Sequence, residues 1–197
     1  MRECGPSFED KILLNQRIKI CSSAEEVQKI VQNHVDDLTH VNVATALHTL
    51  ARLAKHDGNA RRTKQTVTVL VERALDTAEA FKPQEVSTTL LALAKMRITG
   101  EMALVRAMAK RGRKIAGAFH PQNISNTLWA LATLGVTGEM ELVRALAKRG
   151  QNISTVFKPQ EVTNTLWALA KMGVTGEMGL VRALARRARN TAEGFSP

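Results

Sequence analysis

The chain has 197 residues, no tyrosine, 4% aromatic residues and a net charge of +10. So few aromatics require a core of Leu, Val, Ile, Met and Ala, which favours packed helices over a sheet sandwich, and essentially no strand is expected. No apolar run approaches the roughly 18 residues of a membrane span and the first residues lack the apolar stretch of a signal peptide, while the two cysteines, Cys4 and Cys21, lack metal-site spacing and read as free thiols of a reducing, intracellular compartment.

In chain order, residues 1–37 form an N-terminal capping region. Ser22 or Ser23 with Glu25 or Glu26 makes a capping box that opens a helix whose apolar positions are Val27, Ile30, Val31 and Val35. Residues 38–80 are a degenerate repeat: Leu38 onward matches the opening half of the segment that starts at Phe81, with five extra residues before that Phe. Residues 81–118, 119–156 and 157–194 then align without a gap as three 38-residue copies. A fixed period of this length marks a solenoid, because one unit cannot bury its own apolar face and must stack on its neighbours. Phe195, Ser196 and Pro197 match Phe157, Lys158 and Pro159, so the chain stops at the first word of a further repeat. An array ending in this way is expected to be a piece of a longer one, or to meet a protein partner or a second copy through its uncapped repeat.

Within a unit the first helix begins at proline (Pro83, Pro121, Pro159), since proline loses nothing at the first helical position. Val86, Leu90, Leu93 and Ala94 recur near a 3.6-residue period and form its core stripe. Gly135 and Gly173 suit its C-terminal cap, which Arg97 fits less well. Thr99, Thr137 and Thr175 read as N-caps of a second helix, each followed two places on by a glutamate. That helix buries Leu104, Val105, Met108, Ala109, Gly112 and Ile115. The expected fold is therefore all-α: a right-handed α-solenoid of stacked hairpins, about 14 plus 17 residues each, in the tetratricopeptide style.

The charge has a location. Residues 1–80 are neutral, and all ten excess positive charges lie in residues 81–194. An array charged in this way is a footprint for a polyanion, or a solvated face that keeps the protein soluble. Opposite the core stripe of each first helix lie four aligned places: Val41, Thr45, His48 and Arg52; Gln84, Thr88, Leu91 and Lys95; Gln122, Asn126, Trp129 and Thr133; Gln160, Asn164, Trp167 and Lys171. Amides can pair with base edges, tryptophan offers a stacking face and cations meet phosphate, which is the chemistry a single-strand reader needs. The competing reading wedges Trp129 and Trp167 between repeats and spends the asparagines on interhelical hydrogen bonds. The second helices carry their own ladder of Arg106, Lys110 and Lys114, then Arg144 and Lys148, then Arg182 and Arg186. It is either a phosphate contact or a solvated convex back.

The run from Phe157 to Gly173, Phe-Lys-Pro-Gln-Glu-Val-Thr-Asn-Thr-Leu-Trp-Ala-Leu-Ala-Lys-Met-Gly, resembles the octotricopeptide repeat, a 38-residue helical hairpin of organelle RNA-binding proteins, also found in proteins with a RAP domain and in some bacterial effectors. Leu13 through Leu53 also looks like the opening of such arrays. The resemblance implies sequence-selective binding of single-stranded RNA, with first-helix residues of successive units meeting successive nucleotides. It also implies a role in stabilising, processing or translating transcripts in a chloroplast or mitochondrion. Leu91 in place of Trp and Arg97 in place of Gly depart from the pattern, and no RAP-like domain follows the array.

No catalytic constellation is expected: His34, His40, His48, His56 and His120 are scattered, and no acid pair, nucleophile–base set or phosphate loop occurs. The protein is expected to be a binder without enzyme activity, cofactor or metal. The rival to RNA is a scaffold that holds a peptide or host protein in the same groove, as an effector-type array does.

Overall fold

The computed structural model describes residues 7–54 and 60–193. Among these, every regular element is helical and there is no strand. The order is α1 (Phe8–Ile20), α2 (Ala24–His34), α3 (His40–Leu53), α4 (Ala60–Asp76), α5 (Pro83–Lys95), α6 (Met102–Lys114), α7 (Pro121–Leu134), α8 (Met140–Asn152), α9 (Pro159–Lys171) and α10 (Met178–Glu193). Cys4, His56 and the Phe195-Ser196-Pro197 motif lie outside the described residues. Cys21 is a buried free thiol, and burial is the main cause that raises its pKa.

Helix boundaries follow local chemistry. Prolines occupy the first positions of α5, α7 and α9, and the side chain two residues after each accepts a hydrogen bond from the backbone N–H just before it. These bonds run from Lys82 N–H to Glu85 (3.1 Å), His120 N–H to Asn123 (3.3 Å) and Lys158 N–H to Glu161 (2.7 Å). Each satisfies a donor that the helix itself leaves unpaired. The same helices end in a left-handed residue: Gly135 (φ 70°), Gly173 (φ 68°) and, in the first regular copy, Arg97 (φ 56°). The next backbone N–H then reaches back to Leu93, Leu131 or Leu169 at 2.9–3.0 Å, closing the last turn.

Two expectations change. Thr99 and Thr137 do not cap α6 and α8: the cap positions are Glu101 and Glu139, and neither makes a side-chain cap hydrogen bond. The Thr-Gly pair stays in the loop, so the glutamate acts on the helix start through its charge alone. The second helices are also shorter than expected. α6 and α8 have 13 residues each and are followed by three-residue 3-10 turns, Ala116–Ala118 and Ser154–Val156. This tighter turn carries the chain into Phe119 and Phe157, which with Phe81 are fully buried.

Packing makes two rows. First helices stack in the order α1, α3, α5, α7, α9, and second helices in the order α2, α4, α6, α8, α10. The N-terminal region thus holds two helices, one in each row, where the sequence suggested a single capping helix. Ser23 caps α2 as expected, while Glu26 accepts from Ser22. First helices approach one another more closely than second helices do. Small buried residues permit the approach: Ser87, Ala92, Ala94, Ser125, Ala130, Ala132 and Ala168. Gly112 does the same between second helices, where a Cβ would lie 3.1 Å from Leu142 and 3.6 Å from Phe119.

A hydrogen bond absent from the sequence reading ties the rows together. Arg111, Arg149 and Arg187 on the second helices each donate Nε–H to the carbonyl of the Phe that opens the same unit, at 2.8, 3.0 and 2.9 Å. Arg73 does the equivalent to Leu38 (2.9 Å) and Asp36 (2.7 Å). These carbonyls lie outside any helix ladder, so the guanidinium satisfies an otherwise unpaired group.

Candidate nucleic-acid interface

The open side of the first row carries the sixteen aligned residues, and none of them is buried. Four lines run across the stack. Val41, Gln84, Gln122 and Gln160 lie near the helix starts; Thr45, Thr88, Asn126 and Asn164 follow one turn on; His48, Leu91, Trp129 and Trp167 come next; Arg52, Lys95, Thr133 and Lys171 lie at the helix ends. The side chains of Asn126 and Asn164 make no hydrogen bond among the described residues, so both amides keep donor and acceptor available. Trp129 packs partly against the core, whereas Trp167 is 44% exposed. Their ring centroids are 6.2 Å apart and the planes tilt by 30°, so the two indoles form one aromatic step across α7 and α9.

At the other end of the face α1, α3 and α5 enclose an open groove of about 440 Å³. Asn15, Val41, Ala44, Thr45 and Thr88 are among its lining; Lys19, His48 and Arg52 lie toward the C-terminal ends of α1 and α3, and Gln84 and Glu85 at the start of α5. Asn15 and Lys19 belong to α1 and were missed in the sequence. The signal that could have found this helix is the reciprocal Ser7–Asp10 capping box at its start. Arg52 is partly spent, because one terminal nitrogen donates to the Cys21 carbonyl at 2.8 Å. The His48 pKa is lowered, first by desolvation within the groove and then by the charges of Lys95 and Arg52. His40, against the Phe81 ring at 5.8 Å, is lowered mainly by burial.

The second row presents the other ladder. Arg106, Lys110, Arg144, Lys148, Arg182 and Arg186 are all exposed, and none forms an ion pair among the described residues. Lys114 is different, because it is paired with Glu79 at 2.8 Å. Seven of the ten excess charges of residues 81–194 fall on the second-helix halves, residues 100–118, 138–156 and 176–194. The long-range field is therefore strongest on the back, while the groups able to read bases lie on the first row.

Among the described residues no cluster of His, Cys, Asp or Glu has the arrangement to hold a metal ion, and no helix is long and apolar enough to cross a membrane. No curated protein matches the chain. The family of the RNA-editing substrate-binding complex 6 protein matches residues 16–195, from the middle of α1 past the end of α10, so that both rows and the whole first-row face fall within the match, and the chain belongs to that family.

Proposed function

We propose that the protein binds single-stranded RNA sequence-selectively along the open face of its first helices, as one component of an organelle RNA-processing assembly. One observation carries this reading. Asn126 and Asn164, both without a hydrogen-bond partner among the described residues, stand beside the Trp129–Trp167 step, with Lys171 at the end of the same face. Amides that are surface-accessible and unpaired can pair with base edges, and the exposed indole can stack on a base, a combination suited to unpaired nucleotides. The family's name supports RNA and protein partners. The octotricopeptide-like repeat supports one nucleotide per unit, and hence a short footprint and modest affinity for this array. The role is binding, without chemistry on the RNA.

Fluorescence anisotropy with single-stranded RNA, duplex RNA and duplex DNA tests this reading, and a preference for duplex contradicts it. Asn126→Ser with Asn164→Ser should change base preference and leave the fold intact, since neither side chain is held by the protein. Lys95→Gln with Lys171→Gln should weaken all RNAs together and lower the salt slope by up to about two. If base preference survives the asparagine changes while charge reversal at Arg106, Arg144 and Arg182 abolishes binding, the ligand lies on the second row.

A further inference from the structure

We infer that the groove between α1, α3 and α5 is a phosphate subsite of the first-row face, seating one nucleotide with its phosphate among Lys19, His48 and Arg52. The inference rests on the RNA-binding reading and adds a second, chemically different station to the Asn–Trp step on α7 and α9. The volume of about 440 Å³ lies in the range of small-ligand clefts. Val41 and Ala44 give the lining an apolar part for a base or sugar, and Thr45 and Thr88 belong to the same lining. Asn15 also lines the groove, and its Oδ1 is enclosed without a hydrogen-bond donor among the described residues.

The charge balance favours an anion. Lys19, Arg52 and Lys95 stand in the last turns of α1, α3 and α5, where each helix end carries roughly half a negative charge. Two of these cations, Lys19 and Arg52, line the groove near His48, Lys95 adds its charge at His48 without lining the groove, and Glu85, the carboxylate of the lining, lies toward the opposite end at the start of α5, so the positive charge is local to the His48 end. Lys95 from α5 and Arg52 from its own helix act on His48 through their charges, while Asn15 and Lys19 from α1 and Glu85 and Thr88 from α5 line the same groove. Glu85, the carboxylate that lines the groove, is in the first turn of α5 and accepts from the Lys82 N–H at 3.1 Å. Near neutral pH His48 is therefore uncharged; a phosphate beside it stabilises the imidazolium, and protonation then adds a fourth cation. Either an internal phosphodiester or a terminal monoester of the RNA satisfies this chemistry.

The test uses the full chain and a random-sequence single-stranded RNA of about ten nucleotides. It is prepared with hydroxyl ends, with a 5′-phosphate, or with a 3′-phosphate. Between pH about 7.5 and about 5.5 affinity should rise roughly three- to tenfold. His48→Gln should remove that rise, and Lys19→Gln or Lys95→Gln should weaken binding at both pH values. In the unaltered protein the NMR titration of the His48 imidazole should move to higher pH when RNA is added. Tighter binding of one phosphorylated end assigns a terminal monoester, and equal binding of all three assigns an internal diester. If RNA binds in an Asn126- and Asn164-dependent manner while the His48 titration stays put and Lys19→Gln is silent, the subsite is wrong and the RNA reading stands. If none of these RNAs binds at either pH, both are overturned.

Discussion

Arg149 and Arg144 lie on the same helix, α8, and exchanging each for methionine separates a structural arginine from a solvated one. Arg149 is half-buried and its Nε–H reaches the Phe119 carbonyl at 3.0 Å, a group with no other donor among the described residues. Methionine preserves most of the apolar stem and removes the donor. The loss is that of a hydrogen bond from a charged group, about 1.5–3 kcal/mol, and partial exposure to water places it near the lower value, about 1.5 kcal/mol. Arg144 is exposed and unpaired among the described residues, so Arg144→Met should lie within about 0.5 kcal/mol of the unaltered protein. Urea unfolding measures both. Because repeat arrays can open in segments, far-ultraviolet circular dichroism should be paired with fluorescence of Trp129 and Trp167, the two tryptophans of the chain. The expected result is a lowered midpoint for Arg149→Met in both signals. Equal midpoints for the two variants would refute the reasoning, because water would then satisfy the Phe119 carbonyl as well as the guanidinium does.

Arg97→Gly should stabilise by about 0.5–1 kcal/mol in urea unfolding, since the left-handed φ of 56° strains a residue with a Cβ more than the added chain entropy of glycine costs. Thr127→Val should stabilise by about 1 kcal/mol in the same assay, because the Thr127 hydroxyl is buried with no partner among the described residues, as are those of Thr89 and Thr165. Gly112→Val should destabilise by about 1–3 kcal/mol, because even a Cβ would lie 3.1 Å from Leu142, and the two further methyl groups overfill the contact between α6 and α8. Stability should fall as pH drops below about 6.5: burial first, with Lys82 and Arg111, lowers the His40 pKa against the opposing pull of Glu85, so the unfolded chain takes up the proton first. His40→Gln should flatten that part of the stability profile measured by urea midpoints at successive pH values.

The sequence by itself determined whatever depends on a few neighbouring residues. Pro83, Pro121 and Pro159 start helices because a fixed φ and a missing N–H suit that position and no other in the helix. Gly135 and Gly173 end them because a left-handed residue without a Cβ costs little, and Arg97 holds the same backbone under strain. The apolar period assigned Val86, Leu90, Leu104 and Met108 to the core, where they are fully buried or nearly so. The open face of the first helices was legible for the same reason: it lies opposite that stripe.

Tertiary structure decided what depends on contacts some thirty residues apart. Arg111 and Arg106 are alike in sequence, yet one reaches the Phe81 carbonyl and the other faces solvent, and only the packing of α6 against the start of α5 separates them. Thr99 resembles a helix cap until the loop it occupies leaves α6 to start at Met102. Helix α1 has Ile12, Leu13 and Ile20 exposed and Leu14 and Ile18 buried, so its apolar residues point in several directions and no single stripe announces it. Its stacking on α3 nonetheless brings Asn15 and Lys19 to the groove beside His48. Local sterics act through the chain itself and can be read from it. The pairing of a guanidinium with a distant carbonyl, and the meeting of three helices at one groove, exist only once neighbouring units have stacked.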